Sequence, residues 1–249
     1  MNPWKAASAD VEPDSDHVDV WRISTQLDGP QLNAFESVLS AHQRERAARL
    51  RVDEKRRQYI VAQGLTRRIL GRAVSASPQA VEFVRGPKGK PYLGGAAAAQ
   101  GIQFNMTHTS HLALIAVTRR GEVGIDIERI RRNLAWEKLA RRYFSAHEQA
   151  AFRAQPADAR LRAFFVCWTR KEAVLKAIGT GIGGGLGSFD VSVDPDLPPR
   201  LLENRWNGRF HGHWSMTHLE PGEPYVATLV TEYGGVRLRC WDVDPDNPI

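Results

Sequence analysis

The most constraining feature of the sequence is a short alternating stretch, residues 123–128, in which apolar and polar residues take turns. Alternate residues of a strand point to one face, about 7 Å apart at positions i and i+2, so Asp126 and Glu128 share a side. Two carboxylates on one face repel each other unless a cation or a proton lies between them. The stretch therefore predicts a strand that either binds a divalent cation or forms salt bridges with the arginines at positions 129, 131 and 132.

Residues 159–178 predict a helix whose inward stripe includes a carboxylate, Glu172. The apolar members of that stripe are Leu161, Phe165, Trp168 and Leu175. A carboxylate on an apolar stripe costs several kcal/mol unless it is paired or bound to a metal. Asp126, Glu128 and Glu172 can thus share one Mg²⁺ or Mn²⁺, the ions that hard oxygen ligands favour. The alternative is an ordinary surface pair between Glu172 and Lys176, four residues further on.

The composition bounds the class of protein. The 249 residues are 42% hydrophobic and 25% charged, which is ordinary for a globular protein. No apolar run approaches the length of a membrane span, and the N-terminus is acidic rather than basic and apolar. The two cysteines have neither metal-ligand nor redox spacing. We therefore expect a cytoplasmic protein without a membrane partner, whose residues 1–17 are a disordered lead-in.

A short internal echo predicts two related halves. Residues 104–108 read Phe-Asn-Met-Thr-His, and residues 214–218 read Trp-Ser-Met-Thr-His. Each stretch follows a predicted long helix and precedes an apolar strand. A repeat of this length indicates an α+β fold of two pseudo-symmetric halves, residues 18–120 and 121–249, with the active site at their seam.

The net charge of +6 is concentrated in one predicted helical region. Its basic residues are Arg44, Arg46, Arg49, Arg51, Lys55, Arg56, Arg57, Arg67, Arg68 and Arg72. Such a region is either the solvated face of amphipathic helices or a cationic wall for a polyanion, such as nucleic acid, nucleotide phosphates or an acidic protein. A nucleic-acid-binding protein would interleave aromatic residues with the basic ones, and only Tyr59 lies in this cluster.

Several motifs together resemble the 4'-phosphopantetheinyl transferases of the long, single-chain type that activates surfactin synthetase. They are Gly124-Ile125-Asp126-Ile127-Glu128, Trp168-Thr169-Arg170-Lys171-Glu172-Ala173-Val174-Leu175-Lys176, Gly89-Lys90-Pro91, Phe104-Asn105-Met106-Thr107-His108-Thr109 and Phe144-Ser145 with Glu148. The resemblance extends from about residue 18 to about residue 193, with the motifs in family order and at family spacing. Thr107 and Thr109 replace the family's usual serines and keep the hydroxyl.

The resemblance implies an activity: transfer of the 4'-phosphopantetheine arm of coenzyme A, the co-substrate, to a serine of an apo acyl or peptidyl carrier protein. Asp126 and Glu128 would bind Mg²⁺, Glu172 would bind the metal and act as base, and Lys176 would offset charge on the leaving 3',5'-ADP. The residues implied to bind coenzyme A are Arg85, Lys88, Lys90, Thr107, His108 and one arginine of the preceding helix, for which Arg56 is favoured over Arg51 and Arg57. Nucleic acid is not an expected partner, and a chain that carries both halves is expected to be a monomer. The rival interpretations are a nucleic-acid-binding protein and another metal-dependent phosphoryl-transfer enzyme, such as a nuclease or phosphohydrolase.

Overall fold

The computed structural model describes residues 3–8, 11–181, 185–205, 213–235 and 237–247. Helices among these residues are α1 (Gly29–Glu36), α2 (Ala41–Ala48), α3 (Asp53–Ala73), α4 (Trp136–Tyr143), α5 (Ala146–Ala154) and α6 (Arg160–Ala177). Strands are β1 (Trp4–Ala6), β2 (His17–Ser24), β3 (Phe83–Arg85), β4 (Pro91–Leu93), β5 (Gln103–Thr109), β6 (Leu112–Thr118), β7 (Val123–Arg129), β8 (Phe189–Val191), β9 (Leu201–Asn204), β10 (Ser215–Leu219), β11 (Tyr225–Thr231) and β12 (Arg237–Asp242). Within the described ranges, no helix is both long enough and apolar enough to cross a membrane.

The chain divides into two compact units. Unit 1 is Met1–Gly86, Pro91–Arg120 and Val236–Ile249, and unit 2 is Pro87–Lys90 and Gly121–Gly235. The division is close to the one that the sequence predicts, since the boundary near residue 120 is the same. It differs in two places, because residues 87–90 group with unit 2 and the C-terminal segment groups with unit 1.

Unit 1 is a five-stranded sheet in the order β1-β12-β2-β6-β5, with α3 packed on one face. Its hydrophobic core lies between that face and the helices. Core residues from the strands include Trp21 and Ile115, and those from α3 include Leu65 and Ile69. Each of these elements thus buries one face against the core, which is the arrangement that amphipathic helices and strands favour.

Both ends of the chain take part in the sheet of unit 1, so the prediction of a wholly disordered lead-in at residues 1–17 is corrected. The strand β1 pairs in parallel with β12, and β12 pairs in parallel with β2. Arg22 donates to the carboxylate of Asp242 at 2.9 Å, and its guanidinium lies 4.6 Å from the ring centroid of Trp4. A three-residue strand has too short a pattern to be read from sequence, because its stability comes from pairing with a distant segment.

Unit 2 is a three-stranded sheet in the order β10-β11-β7, with α6 packed on one face. The close approach of α6 to β7 depends on Gly124. A Cβ atom at Gly124 would lie 2.1 Å from the carbonyl oxygen of Ala173 and 2.3 Å from the amide nitrogen of Ala177. Only a residue without a side chain fits there.

The two units repeat the same strand arrangement, in which the echoed segment pairs antiparallel with a middle strand and that strand pairs antiparallel with a third. This confirms the two-half fold that the echo predicts. In unit 1, His108 pairs with Ala113, and Ala113 pairs with Ile23. In unit 2, His218 pairs with Thr228, and Thr228 pairs with Asp126. Asp126 therefore holds the position that Ile23 holds in unit 1.

We predict that Gly124→Ala lowers the free energy of unfolding by about 1–3 kcal/mol, the usual cost of forcing extra volume into a packed contact. Urea denaturation followed by tryptophan fluorescence measures it. The matched control is Gly187→Ala, because a Cβ atom there has no neighbour within 4 Å; its change should stay within about 0.5 kcal/mol. Equal stabilities for the two variants would contradict the close-approach argument.

Candidate active site

Three carboxylates and one lysine lie on the facing surfaces of β7 and α6, as the sequence predicts. Val226 and Val230 belong to the core under α6, and their register partners on β7 are Glu128 and Gly124. Glu128, Asp126 and Gly124 alternate along β7, so all three face the helix. Across from them, Lys176 donates to Asp126 Oδ1 at 2.6 Å and to the carbonyl oxygen of Ile125 at 3.2 Å.

Glu172 is a buried carboxylate whose pKa lies well above its ordinary value. Its side chain is buried, and its Oε1 atom makes no hydrogen bond within the described structure. Burial, and after it the negative charges of Asp126 and Glu128, raise the pKa of Glu172 to about 7, although the ammonium of Lys176 acts to lower it. The raised pKa of Glu172 therefore reflects first the loss of water around the carboxylate and second the two nearby carboxylates.

This arrangement fits a divalent cation, although the side chains do not already form a ligand shell. Among the described residues, no group of three or more His, Cys, Asp or Glu side chains lies at metal-ligand spacing. Asp126 is instead held by Lys176, and Glu128 lies 3.8 Å from the guanidinium of Arg131. The buried Oε1 of Glu172 and the surplus of carboxylate charge are the features that a cation of the Mg²⁺ type would satisfy. The Glu128–Arg131 contact is the salt bridge that the alternative interpretation predicts.

Unit 1 contains a separate group of cations around Tyr59, on α3. The guanidinium of Arg46 lies 5.3 Å from the ring centroid of Tyr59. Burial raises the pKa of Tyr59, and the positive charges of Arg46, Arg85 and Arg67 lower it, so all three cations act on one hydroxyl group. Arg67 is buried and donates to the carbonyl oxygens of Pro78 and Val81. Arg46 and Arg85 are exposed.

His108 lies on the same face of the sheet as this cluster, and Thr107 lies on the other face. The sulfur atom of Met106 contacts Gln63 on α3, so Met106 and His108, two residues apart, both face that helix. Gln58 donates to the carbonyl oxygen of Ser110. His108 therefore lies beside the turn of α3 between these contacts, the turn that includes Tyr59. The structure does not bring Thr107 and His108 to one face.

The arginine that the sequence analysis favours, Arg56, is half-exposed and lies 3.4 Å from Asp53. The sequence analysis missed Arg46, although it named that residue among the basic cluster. Only its contact with Tyr59 distinguishes it from its neighbours, and that contact joins two different helices. The signal in the sequence was Tyr59, the one aromatic residue in the basic cluster, because arginine side chains often pack on aromatic rings.

Lys88 and Lys90, which the sequence analysis treats alike, are placed differently. Lys88 is exposed. Lys90 has a side chain only 4% exposed, and its ammonium donates to Glu122 at 2.6 Å and to the carbonyl oxygens of Val123 at 3.1 Å and Ala177 at 2.7 Å. Ala177 is the last residue of α6, where a cation interacts favourably with the unpaired carbonyl groups. A contact between Lys90 and coenzyme A requires the ammonium to leave these acceptors, and it stays a prediction.

Two family models match the chain, one in each half. The model described as "4'-phosphopantetheinyl transferase superfamily" matches residues 122–230. The model described as "4'-phosphopantetheinyl transferase, N-terminal" matches residues 26–120. The boundary between the two matches coincides with the boundary between the units at residue 120.

Curated proteins give the same result over most of the chain. The 4'-phosphopantetheinyl transferase HetI of Nostoc sp. is 34% identical over 227 residues, which is 91% of this chain and 92% of HetI. The 4'-phosphopantetheinyl transferase psf-1 of Bacillus pumilus is 31% identical, covering 67% of this chain and 69% of psf-1. The 4'-phosphopantetheinyl transferase AcpT of Salmonella typhi is 38% identical over 53% of this chain and 64% of AcpT.

We predict that Lys90→Met lowers the stability of the fold, whereas Lys88→Met weakens coenzyme A binding. Lys90→Met should lower the free energy of unfolding by about 1–3 kcal/mol, because charged hydrogen bonds to buried acceptors are lost while the aliphatic stem is kept. Lys88→Met should change it by less than about 0.5 kcal/mol and should weaken coenzyme A binding. Urea denaturation and titration calorimetry measure the two quantities. A stable Lys90→Met variant with weakened coenzyme A binding would assign Lys90 to the ligand instead.

Proposed function

The chain belongs to the 4'-phosphopantetheinyl transferase superfamily, and from that premise we propose a Mg²⁺-dependent transfer of the 4'-phosphopantetheine arm of coenzyme A to a serine of an apo carrier protein. The single observation that supports the proposal most is the group formed by Asp126, Glu172 and Lys176 on two rigid elements of unit 2. A monomer is the proposed functional state, since both family halves occur in one chain.

The proposed reaction is a phosphoryl transfer. The serine oxygen of the carrier protein attacks the β-phosphorus of the coenzyme A pyrophosphate, a new oxygen–phosphorus bond forms, and the bond to the bridging oxygen breaks. The leaving group is 3',5'-ADP. Such a reaction depends on positioning and on charge neutralisation more than on covalent help from the protein.

Asp126, Glu128 and Glu172 are the proposed ligands of the divalent cation. When bound, the cation would neutralise charge on the pyrophosphate and hold it for an in-line displacement. The carboxylates come from a strand and a helix whose separation is fixed by Gly124. A ligand set on such elements is held more precisely than one on loops.

Glu172 is the proposed base for the serine hydroxyl proton. Its Oε1 atom is buried and has no hydrogen-bond donor within the described residues, so the atom can accept a proton from an incoming hydroxyl group. Lys176 lies one helical turn away and is partly exposed. Its ammonium would transfer its interaction from Asp126 to the leaving pyrophosphate oxygen as charge develops there.

The cations of unit 1 are the proposed binding group for the nucleotide part of coenzyme A. Arg46 and Arg85 are exposed and surround Tyr59, and His108 lies along the same face. Guanidinium groups match the geometry of phosphate oxygens. Arg56 and Lys88 complete the proposed set, with Arg56 as the alternative to Arg46. Thr107 faces the other side of the sheet and is not part of this group.

We predict that Asp126→Asn and Glu172→Gln each reduce kcat by about 10²–10³-fold, since each replaces a charged group that acts on the transition state. Transfer to an apo carrier domain is followed by mass spectrometry, which detects the gain of one phosphopantetheine. Each variant should also bind Mn²⁺ more weakly in a direct titration without substrates. The control is Glu137→Gln, an exposed carboxylate on α4. Near-normal transfer by either active-site variant at saturating Mg²⁺ would disprove the metal assignment.

We predict that Arg46→Ala weakens coenzyme A binding by about tenfold to a hundredfold, because a charge-assisted hydrogen bond contributes about 1.5–3 kcal/mol. The loss should shrink with 3'-dephospho-coenzyme A if Arg46 faces the 3'-phosphate. Arg49→Ala is the matched control, since Arg49 is on the same helical segment but is 81% exposed and lies beside Glu45. A larger loss for Arg56→Ala than for Arg46→Ala would return the assignment to Arg56.

A further inference from the structure

A fully buried ion pair lies next to the proposed catalytic carboxylate along α6. Lys171 and Glu148 are both 0% exposed. The ammonium of Lys171 donates to Glu148 Oε1 at 2.5 Å, to Glu148 Oε2 at 2.7 Å and to the carbonyl oxygen of Phe189 at 2.7 Å. It also lies 4.4 Å from the ring centroid of Phe189. Neither residue has a role in the proposed reaction.

Glu148 connects three elements of unit 2 through one carboxylate. Oε2 accepts from the amide nitrogen of Ser145 at 2.9 Å, at the N-terminus of α5. Oε1 accepts from the amide nitrogen of Val191 at 2.9 Å, at the end of β8. With the two bonds from Lys171, each carboxylate oxygen accepts two hydrogen bonds. The carboxylate therefore joins α5, β8 and α6 at one buried point.

The opposite side of α6 is held by β7 and β11. Thr169 hydrogen-bonds to Thr228 at 3.1 Å, and Ala173 and Ala177 approach Gly124. Thr169, Ala173 and Ala177 are four residues apart and form one stripe of the helix. Lys171 is two residues from Thr169, about 200° around the helix, so it lies almost opposite that stripe. The helix is thus held from both sides.

Glu172 lies on the flank between these two attachments. One residue along a helix is a rotation of about 100°, so the direction in which Lys171 is held determines the direction in which Glu172 points. The contact with Gly124 fixes the distance between α6 and β7. The hydrogen bond between Thr169 and Thr228 on that side is neutral, so it opposes rolling of the helix less than a charged one does. A buried ion pair with directional hydrogen bonds restricts that rolling.

We propose that Glu148 and Lys171 are a positioning pair that sets the rotation of α6 and thereby the placement of the Glu172 carboxylate relative to Asp126. The inference rests on the proposed function, because it gives the pair a purpose within the metal and base site of unit 2. It predicts that a neutral pair of the same size keeps the fold but places Glu172 less accurately.

The test is the double variant Glu148→Gln with Lys171→Met. Glutamine keeps a side-chain oxygen for a backbone amide group, and methionine fills the volume of the lysine stem. The double variant should unfold cooperatively and keep its KM for coenzyme A within about threefold, because the nucleotide groups of unit 1 are unchanged. Its kcat and its affinity for Mn²⁺ in the absence of substrates should each fall by about 10–100-fold, the range for groups that orient metal ligands.

The matched control is Asp19→Asn with Arg239→Met, a second ion pair with a buried carboxylate, located in unit 1. Asp19 is 0% exposed and accepts from Arg239 at 2.6 Å. This control should leave kcat and Mn²⁺ affinity unchanged even where it costs similar stability. If the control lowers kcat and Mn²⁺ affinity as much as the test variant does, a general loss of stability explains the effect and the proposal is overturned. Wild-type kcat and Mn²⁺ affinity in a folded test variant would also overturn it.

Two further outcomes separate this inference from the proposed function. A wild-type chain that binds Mn²⁺ but transfers nothing would contradict the proposed function, while the Mn²⁺ affinity of the double variant still decides the positioning role. If the double variant does not fold, Glu148→Asp alone replaces it, because that change keeps the charge pair and moves the carboxylate by one methylene group. Its kcat should fall while its KM for coenzyme A stays unchanged, and a wild-type kcat would overturn the proposal.

Discussion

The close approach of α6 to β7 at Gly124 is the constraint on which the rest of unit 2 depends. A Cβ atom there would overlap the backbone at Ala173 and Ala177. With that atom absent, the helix lies directly on the strand, and Lys176 reaches both Asp126 and the carbonyl oxygen of Ile125. The same approach places Glu172 in the field of the strand carboxylates. A glycine in a strand usually weakens it, so the sheet gives up some local stability for this contact.

Three lysine–carboxylate pairs then fix the helix, and they differ in exposure. Lys171 with Glu148 is wholly buried, and Lys90 with Glu122 has a buried lysine that also interacts with the last carbonyl group of α6. The third pair, Lys176 with Asp126, has a lysine that is 27% exposed. Breaking a buried pair leaves an uncompensated charge, whereas a partly exposed pair can exchange partners at little cost. The pair with solvent access is thus the one whose members can turn to a ligand.

The sequence predicts this site well where the chemistry is local, and poorly where it depends on distant contacts. Alternation places Asp126 and Glu128 on the α6 face of β7, and Ser145 and Glu148, three residues apart, form a capping box at the start of α5. The same Glu148 also binds Lys171, 23 residues away, which no local pattern reveals. The inward direction of Lys90 was likewise invisible, because its acceptors at Glu122 and at the end of α6 come together only in the folded chain. The pairing of the two chain ends in unit 1 was missed for the same reason.

The strand arrangement that the two units share carries different chemistry in each. In each unit an edge strand contributes a histidine, His108 in unit 1 and His218 in unit 2, to a row of cross-strand neighbours. The third strand of that row contributes Ile23 in unit 1 and Asp126 in unit 2. The apolar residue extends the core of unit 1, whereas the carboxylate of unit 2 needs a cation and obtains one from Lys176. Asp126 in place of an apolar residue, together with Glu172 on α6, thus gives unit 2 a charged site. The same strand arrangement carries apolar core packing at this position in unit 1. Because the strand arrangement is the same, the chemistry must be assigned from the residues in the row and not from the fold.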